Sequence, residues 1–253
     1  MRKLGERNYL AQDFIAEASP HGMVKAVHIQ AAGHGSKDPV DETRWLQTVF
    51  EETGIPQAIV GHVDLNSQNA RLQIEQHLES PNFKGVRDLS SREHLDSNTF
   101  KDGLAILQEY GLIASIAVQW QEMEVLTDLA GQFPRLTIVL DHTGLPQERN
   151  YEYFQAWRAG MSSMSKRENI ICKISGLGMG DNSWTVESIR PYVETSINLF
   201  GCERSLFATN WPVDSLWSGY GDVVDAYRTI TKSFTQQEKT ALFSENTEKI
   251  YDI

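Results

Sequence analysis

The sequence predicts an α/β fold of the (β/α)8 TIM-barrel type, with its first strand missing. Three observations carry that expectation. Seven short apolar runs recur along the 253 residues, and an amphipathic helical pattern follows each one. The run Leu136-Thr137-Ile138-Val139-Leu140 is apolar or β-branched throughout, as in strands buried on both faces of a parallel sheet. It ends in Asp141-His142-Thr143-Gly144, and titratable residues at the carboxyl end of such a strand mark the mouth of a barrel. No G-x-G-x-x-G follows a strand and no G-x-x-x-x-G-K occurs, so a nucleotide-binding sheet has little support.

The elements follow in order. Residues 8–19 have helical spacing, where a complete barrel would open with a strand. Residues 24–30 read as the first strand, and 33–39 as a turn-rich loop. A helix over 41–54 carries Trp45, Val49 and Phe50 on one stripe and stops at Gly54. Strands are expected at 58–65, 84–89, 112–119, 136–140, 169–177 and from 205. Helices are expected at 68–78, 100–110, 122–132, 151–164, 185–200, 223–234 and 236–251. The last opens on a capping box, Thr235 with Glu238. No linker, repeat or low-complexity run interrupts this order, so residues 1–253 read as one domain.

Composition bounds the function. Thirty-four acidic residues against 23 basic ones give a net charge of −11, which argues against nucleic acid or an anionic membrane as partner. No apolar run approaches the ~18 residues of a membrane span, and residues 1–7 lack a signal-peptide core, so the expected location is the cytoplasm. Cys172 and Cys202 read as free thiols. No C-x-x-C or H-E-x-x-H occurs, and Ser175-Gly176-Leu177-Gly178 lacks the flanking glycine of a nucleophile elbow.

Candidate chemistry sits at the strand ends: His28, His62 and Asp64, Arg87 and Asp88, Trp120, Asp141 and His142, Lys173 and Ser175, then Asn210 and Trp211. His28 or His62 alone reads more readily as a hydrogen-bonded core histidine than as a catalyst, Asp64 and Asp88 read better as helix caps, and Lys173 reads also as a side chain between barrel and helices. Arg87, at the end of an apolar strand, needs an anion, and a substrate carboxylate is the expected one.

Seven segments in order, among them Val27-His28-Ile29-Gln30, Gly85-Val86-Arg87-Asp88, Leu140-Asp141-His142-Thr143-Gly144, Lys173-Ile174-Ser175-Gly176 and Thr209-Asn210-Trp211-Pro212, resemble the amidohydrolase-related family. The resemblance runs from about residue 8 to the end. It implies a TIM-barrel hydrolase, most often a lactonase, with a metal held by an H-x-H pair on the first strand, a middle-strand histidine and a late aspartate. His142 matches the histidine; Asn210 stands where the aspartate is common; residues 1–7 supply no H-x-H. An amide neither accepts a proton at neutral pH nor binds metal well, so no metal is expected on this chain as given, and zinc only on a longer form carrying H-x-H. The expected function is hydrolysis of a small carboxylated substrate, a lactone above all. His142 and Asn210 are the expected catalytic residues, with His28, Arg87 and Trp120 binding substrate. A metal-independent lyase or decarboxylase, or a non-catalytic binder of small acids, stands as the alternative. A missing strand leaves a gap between the 24–30 and 205 strands, to be met by the N-terminal segment, by a second subunit of a homo-oligomer or by disorder.

Overall fold

A computed structural model of the chain describes residues 8–30 and 38–253. Residues 1–7 and most of the loop expected at 33–39 lie outside that description. Seven strands form one parallel sheet in sequence order: β1 (Val27–Ile29), β2 (Ala58–Gly61), β3 (Phe83–Val86), β4 (Ile113–Ile116), β5 (Ile138–Leu140), β6 (Ile170–Ile174) and β7 (Ser205–Phe207). Each pairs in parallel with the next, and the sheet curls into a half-barrel of α/β type. The strands are shorter than the apolar runs suggest: most runs lose their carboxyl-terminal residues to the loops, whereas 24–30 and 136–140 lose residues chiefly at the amino end.

The helices lie where the apolar stripes put them, and their ends have local causes. They are α1 (Ala11–Ala18), α2 (Pro39–Thr53), α3 (Ala70–His77), α4 (Asn98–Tyr110), α5 (Met123–Gln132), α6 (Tyr151–Met164), α7 (Val186–Phe200) and α8 (Tyr220–Ile230). The carboxylate of Asp38 caps α2, with Pro39 in its first turn, and Gly54 ends it at φ +80°. Ser97, Asn150 and Thr185 cap α4, α6 and α7 through side-chain oxygens. The helix expected over 236–251 is three pieces: α9 (Gln236–Thr240), a π turn (Ala241–Glu245) and α10 (Asn246–Tyr251). Its capping box is present, Thr235 and Glu238 bonding reciprocally.

Side-chain alternation sorts the strands into two cores. Ile138, Leu140, Ile170, Cys172 and Ile174 pack outward against the helices. Val60, Val139, Ile171 and Leu206 pack inward with Tyr251 of α10. Val139 and Asp141 therefore share the inner face, as do Ile171 and Lys173. Lys173 points into the barrel, not between barrel and helices as one sequence reading allows.

Among the described residues, β1 pairs only with β2 and β7 only with β6, so the sheet is open between β7 and β1. Helix α1 packs against both α2 and α8 and walls this opening from outside. A cavity of about 800 Å³ fills the opening, from Tyr251 and Ile253 at one end to Arg87 and His142 at the other.

Candidate active site

The inner end of the cavity is built on Asp141, the first residue after β5. It is fully buried. Lys173 Nζ on β6 lies 2.7 Å from its Oδ1, and Arg87 Nε, just past β3, lies 3.0 Å from its Oδ2. Ser115 of β4 donates its hydroxyl to Oδ1 at 2.7 Å. Burial alone would raise the Asp141 pKa, but Lys173 and Arg87 outweigh it and hold the carboxyl well below the usual range. Burial lowers the pKa of Lys173 in turn, with Asp141 opposing the shift.

This answers the question that Arg87 poses in the sequence. The anion it requires is already inside the chain, on Asp141, so a substrate carboxylate is not what balances it. Arg87 Nη1 donates to the Gln30 carbonyl at 2.9 Å, and Nη2 points toward His142 Nε2 at 3.4 Å. Arg87, His142, Lys173 and Ser175 all line the cavity. With Lys173 protonated, two cations face one carboxylate, and the cluster carries a net charge of +1.

His142 follows Asp141 on an unusual backbone. His142, Thr143, Gly144 and Leu145 all have positive φ, at 52°, 57°, 68° and 46°. For non-glycine residues this left-handed turn costs about 1–2 kcal/mol each. Packing holds it: Trp157 Nε1 donates to the Thr143 carbonyl at 2.8 Å, and Met123 and Met161 lie against Gly144. The turn brings His142 Nδ1 within 2.9 Å of Ser175 Oγ. Burial pushes the His142 pKa down to about 3, Asp141 opposing and the two cations reinforcing. The imidazole is therefore neutral at physiological pH. With the Arg87 Nη2–H directed at Nε2, the ring proton belongs on Nδ1.

Asn210 lines the same cavity from the loop after β7, in a left-handed conformation at φ +53°. Its Nδ2 donates to Oδ1 of Asp214 at 2.7 Å. Asp214 is buried, and burial pushes its pKa up to about 6 against the lowering effect of the Asn210 bond. Sequence reading passes over Asp214, although it closes the Asn210-Trp211-Pro212-Val213 segment; only the fold shows it turned back on Asn210. His28 lines the cavity beside Glu42, its Nε2 3.7 Å from Oε1. Trp120 stands apart. It is exposed in the turn after β4 and does not line the cavity. Asp64 and Asp88 cap no helix. Asp64 accepts from the Asn66 amide, and Asp88 from the Leu65 and Ser90 amides, so both brace loops at the mouth.

Residues 4–253 match the family model described as Amidohydrolase, and the chain belongs to that family. An uncharacterized protein, y4mH, of Sinorhizobium fredii is 37% identical over 98% of this chain and 86% of its own length. An L-fucono-1,5-lactonase of Burkholderia ambifaria is 28% identical, with 85% of this chain and 74% of that enzyme covered. Among solved structures, an amidohydrolase from Burkholderia multivorans with bound HEPES superposes with a TM-score of 0.89 at 21% identity, covering 99% of this chain and 91% of that one. A second crystal form of that protein contains zinc.

The family is one of hydrolases and is typically metal-dependent. The described residues do not fit a metal. They hold no group of three His, Cys, Asp or Glu side chains placed to ligate one. Both ring nitrogens of His142 are engaged, one by Ser175 and one by the Arg87 guanidinium. Arg87 and Lys173 would repel a dication there, and Asn210 offers only an amide. No helix among the described residues is long and apolar enough to cross a membrane.

Proposed function

We propose that the chain hydrolyses a small lactone to its hydroxy acid, with the Arg87–Asp141–Lys173 cluster as the electrostatic centre of the site. The observation that supports this most is the pair of basic side chains, Arg87 and Lys173, set on one buried carboxylate at the inner end of a cavity in a protein whose total charge is −11. Attack of water on a lactone carbonyl places negative charge on that oxygen. Breaking the ring C–O bond then leaves a carboxylate and, after proton transfer from the attacking water, a hydroxyl. Fixed N–H donors beside that oxygen stabilise both the tetrahedral intermediate and the product. Arg87 Nη2 and the Lys173 ammonium are the available donors. A substrate already carrying a carboxylate gains from the same field. His142, neutral and protonated on Nδ1, is tied to Ser175 and to Arg87 and so holds the guanidinium in place; with its pKa near 3 it is a weak proton acceptor.

The second reading is a binder of small acids without turnover. It is favoured by one observation: the two groups matching the expected catalytic pair, His142 and Asn210, are a poorly basic imidazole and an amide. A panel of sugar-acid and carboxylated lactones, followed by proton release, separates the two. On the hydrolase reading wild type turns over at least one member, and Arg87→Ala weakens transition-state binding by roughly 2–5 kcal/mol, as expected for breaking a buried charge pair. Equal kcat/KM for Arg87→Ala and wild type would remove the cluster from the mechanism. Binding without proton release would establish the second reading.

A further inference from the structure

We propose that Asp214 is a positioning residue that turns the Asn210 amide so that its carbonyl oxygen faces the cavity, making the site selective for a small acid or lactone that also carries a hydroxyl group. The proposal rests on the reading of the cavity as a site for small acids and their lactones. A carboxylate has acceptors only, so the end of the amide that meets Asp214 at 2.7 Å is the NH2 group. The carbonyl oxygen is then directed away from Asp214. Asn210 lines the cavity and Asp214 does not, and no hydrogen bond within the described chain takes up Asn210 Oδ1.

The backbone makes the arrangement stiff. Asp214 N donates to the Asn210 carbonyl at 3.1 Å, and the Asp214 carbonyl accepts from Trp217 and Ser218 at 3.0 and 3.1 Å. On the other side Trp211 Nε1 donates to Glu17 Oε2 at 2.5 Å and to the Tyr9 hydroxyl at 2.8 Å. The loop is therefore clamped on both flanks of residue 210, and the left-handed φ of Asn210 is held by its surroundings.

The consequence is a division of polarity within one cavity. Arg87 and Lys173 offer donors alone, whereas Asn210 offers an acceptor. A ligand that satisfies both brings an anionic or carbonyl oxygen to the first and an O–H to the second. An acid of the same length without hydroxyls leaves Oδ1 unpaired once water is expelled, and such a loss is penalised.

The test is a pair of acids, a six-carbon aldonate and hexanoate, titrated calorimetrically at pH 8 into wild type, Asp214→Leu, Asp214→Asn and Asn210→Gly. Glycine is chosen at 210 because it adopts φ +53° without strain. Wild type should prefer the aldonate by about tenfold or more. Asp214→Leu and Asn210→Gly should lose about tenfold in aldonate affinity and little for hexanoate. Asp214→Asn, whose side-chain carbonyl can accept the same bond, should stay within about threefold of wild type. If Asp214→Leu fails to fold, Asn210→Gly and Asp214→Asn still decide the matter. The proposal is overturned if Asp214→Leu or Asn210→Gly keeps the wild-type preference, if Asp214→Asn loses as much as Asp214→Leu, or if wild type binds neither acid or both equally. Lactone turnover is assayed on the same samples. A preference for the aldonate without turnover leaves this assignment standing and removes the hydrolase reading.

Discussion

At the scale of single residues, the buried histidines set how stability depends on pH. His77 is fully buried, bonded through Nδ1 to Thr43 Oγ1 at 2.9 Å and through Nε2 to the His62 carbonyl at 3.1 Å. Burial pushes its pKa down to about 4, and that of His142 to about 3. A histidine with a depressed folded pKa is neutral in the fold while the unfolded chain takes up protons below about 6.5. Its stabilising contribution is complete above that pH and is lost as pH falls toward 4. Asp214 acts in the opposite sense: its raised pKa, about 6, means the folded state holds the proton more tightly between roughly 4 and 6. Two histidines against one aspartate leave a net loss. Urea unfolding at pH 7.5 and pH 5 should show a decrease of about 2–3 kcal/mol, and His77→Gln should reduce that decrease by roughly 2. A flat profile in wild type would show that these side chains are not neutral and buried. Residue chemistry was the least legible part of the sequence. The string shows that Arg87 needs an anion, but not that Asp141, on a strand two places along the sheet, supplies it. Asp214 lies four residues beyond Asn210, and its return onto that amide depends on the left-handed backbone at 210, which composition does not announce.

At the scale of elements, alternation of apolar runs and helical stripes locates all seven strands and the helices between them, since each βα unit carries its own periodicity. Strand and helix ends shift by a few residues where a cap or a loop hydrogen bond decides. The π turn Ala241–Glu245 has no signature in the apolar stripe, which continues through it. The left-handed turn from His142 to Leu145 is likewise hard to see beyond Gly144, because Thr143 and Leu145 are residues that rarely adopt that conformation. The turn makes a specific demand. A Cβ on Gly144 would lie 2.2 Å from the Met123 methyl, at a φ of +68°. Gly144→Ala should therefore destabilise the protein by roughly 2–3 kcal/mol, combining overpacking with backbone strain. It should also disturb His142, read as a changed imidazole resonance by NMR. An unchanged melting temperature would mean that the turn can relax, and that Asp141 and His142 are held by something other than this packing.

At the scale of the whole molecule, the half-barrel has a consequence for cooperativity. In a closed barrel the first and last strands meet, and that ladder joins the most distant parts of the sequence. Here each described strand pairs only with its neighbour in the chain, from β1 to β7. The array resembles a short solenoid, in which stability passes from unit to unit and the ends lack one neighbour. Helix α1 and the carboxyl-terminal Tyr251 touch both flanks of the opening, but side-chain packing does not replace a row of strand hydrogen bonds. Opening should therefore begin at the two rims and spread inward. Amide hydrogen exchange should find the strongest protection in β4 to β6 and the weakest among the strands in β1 and β7. A uniform protection level across all seven would mean that the chain unfolds as one body. On the graded expectation, Asn210 and His28 sit on the loosest units and Asp141 and Lys173 on the tightest, so the site joins a fixed electrostatic wall to one that breathes.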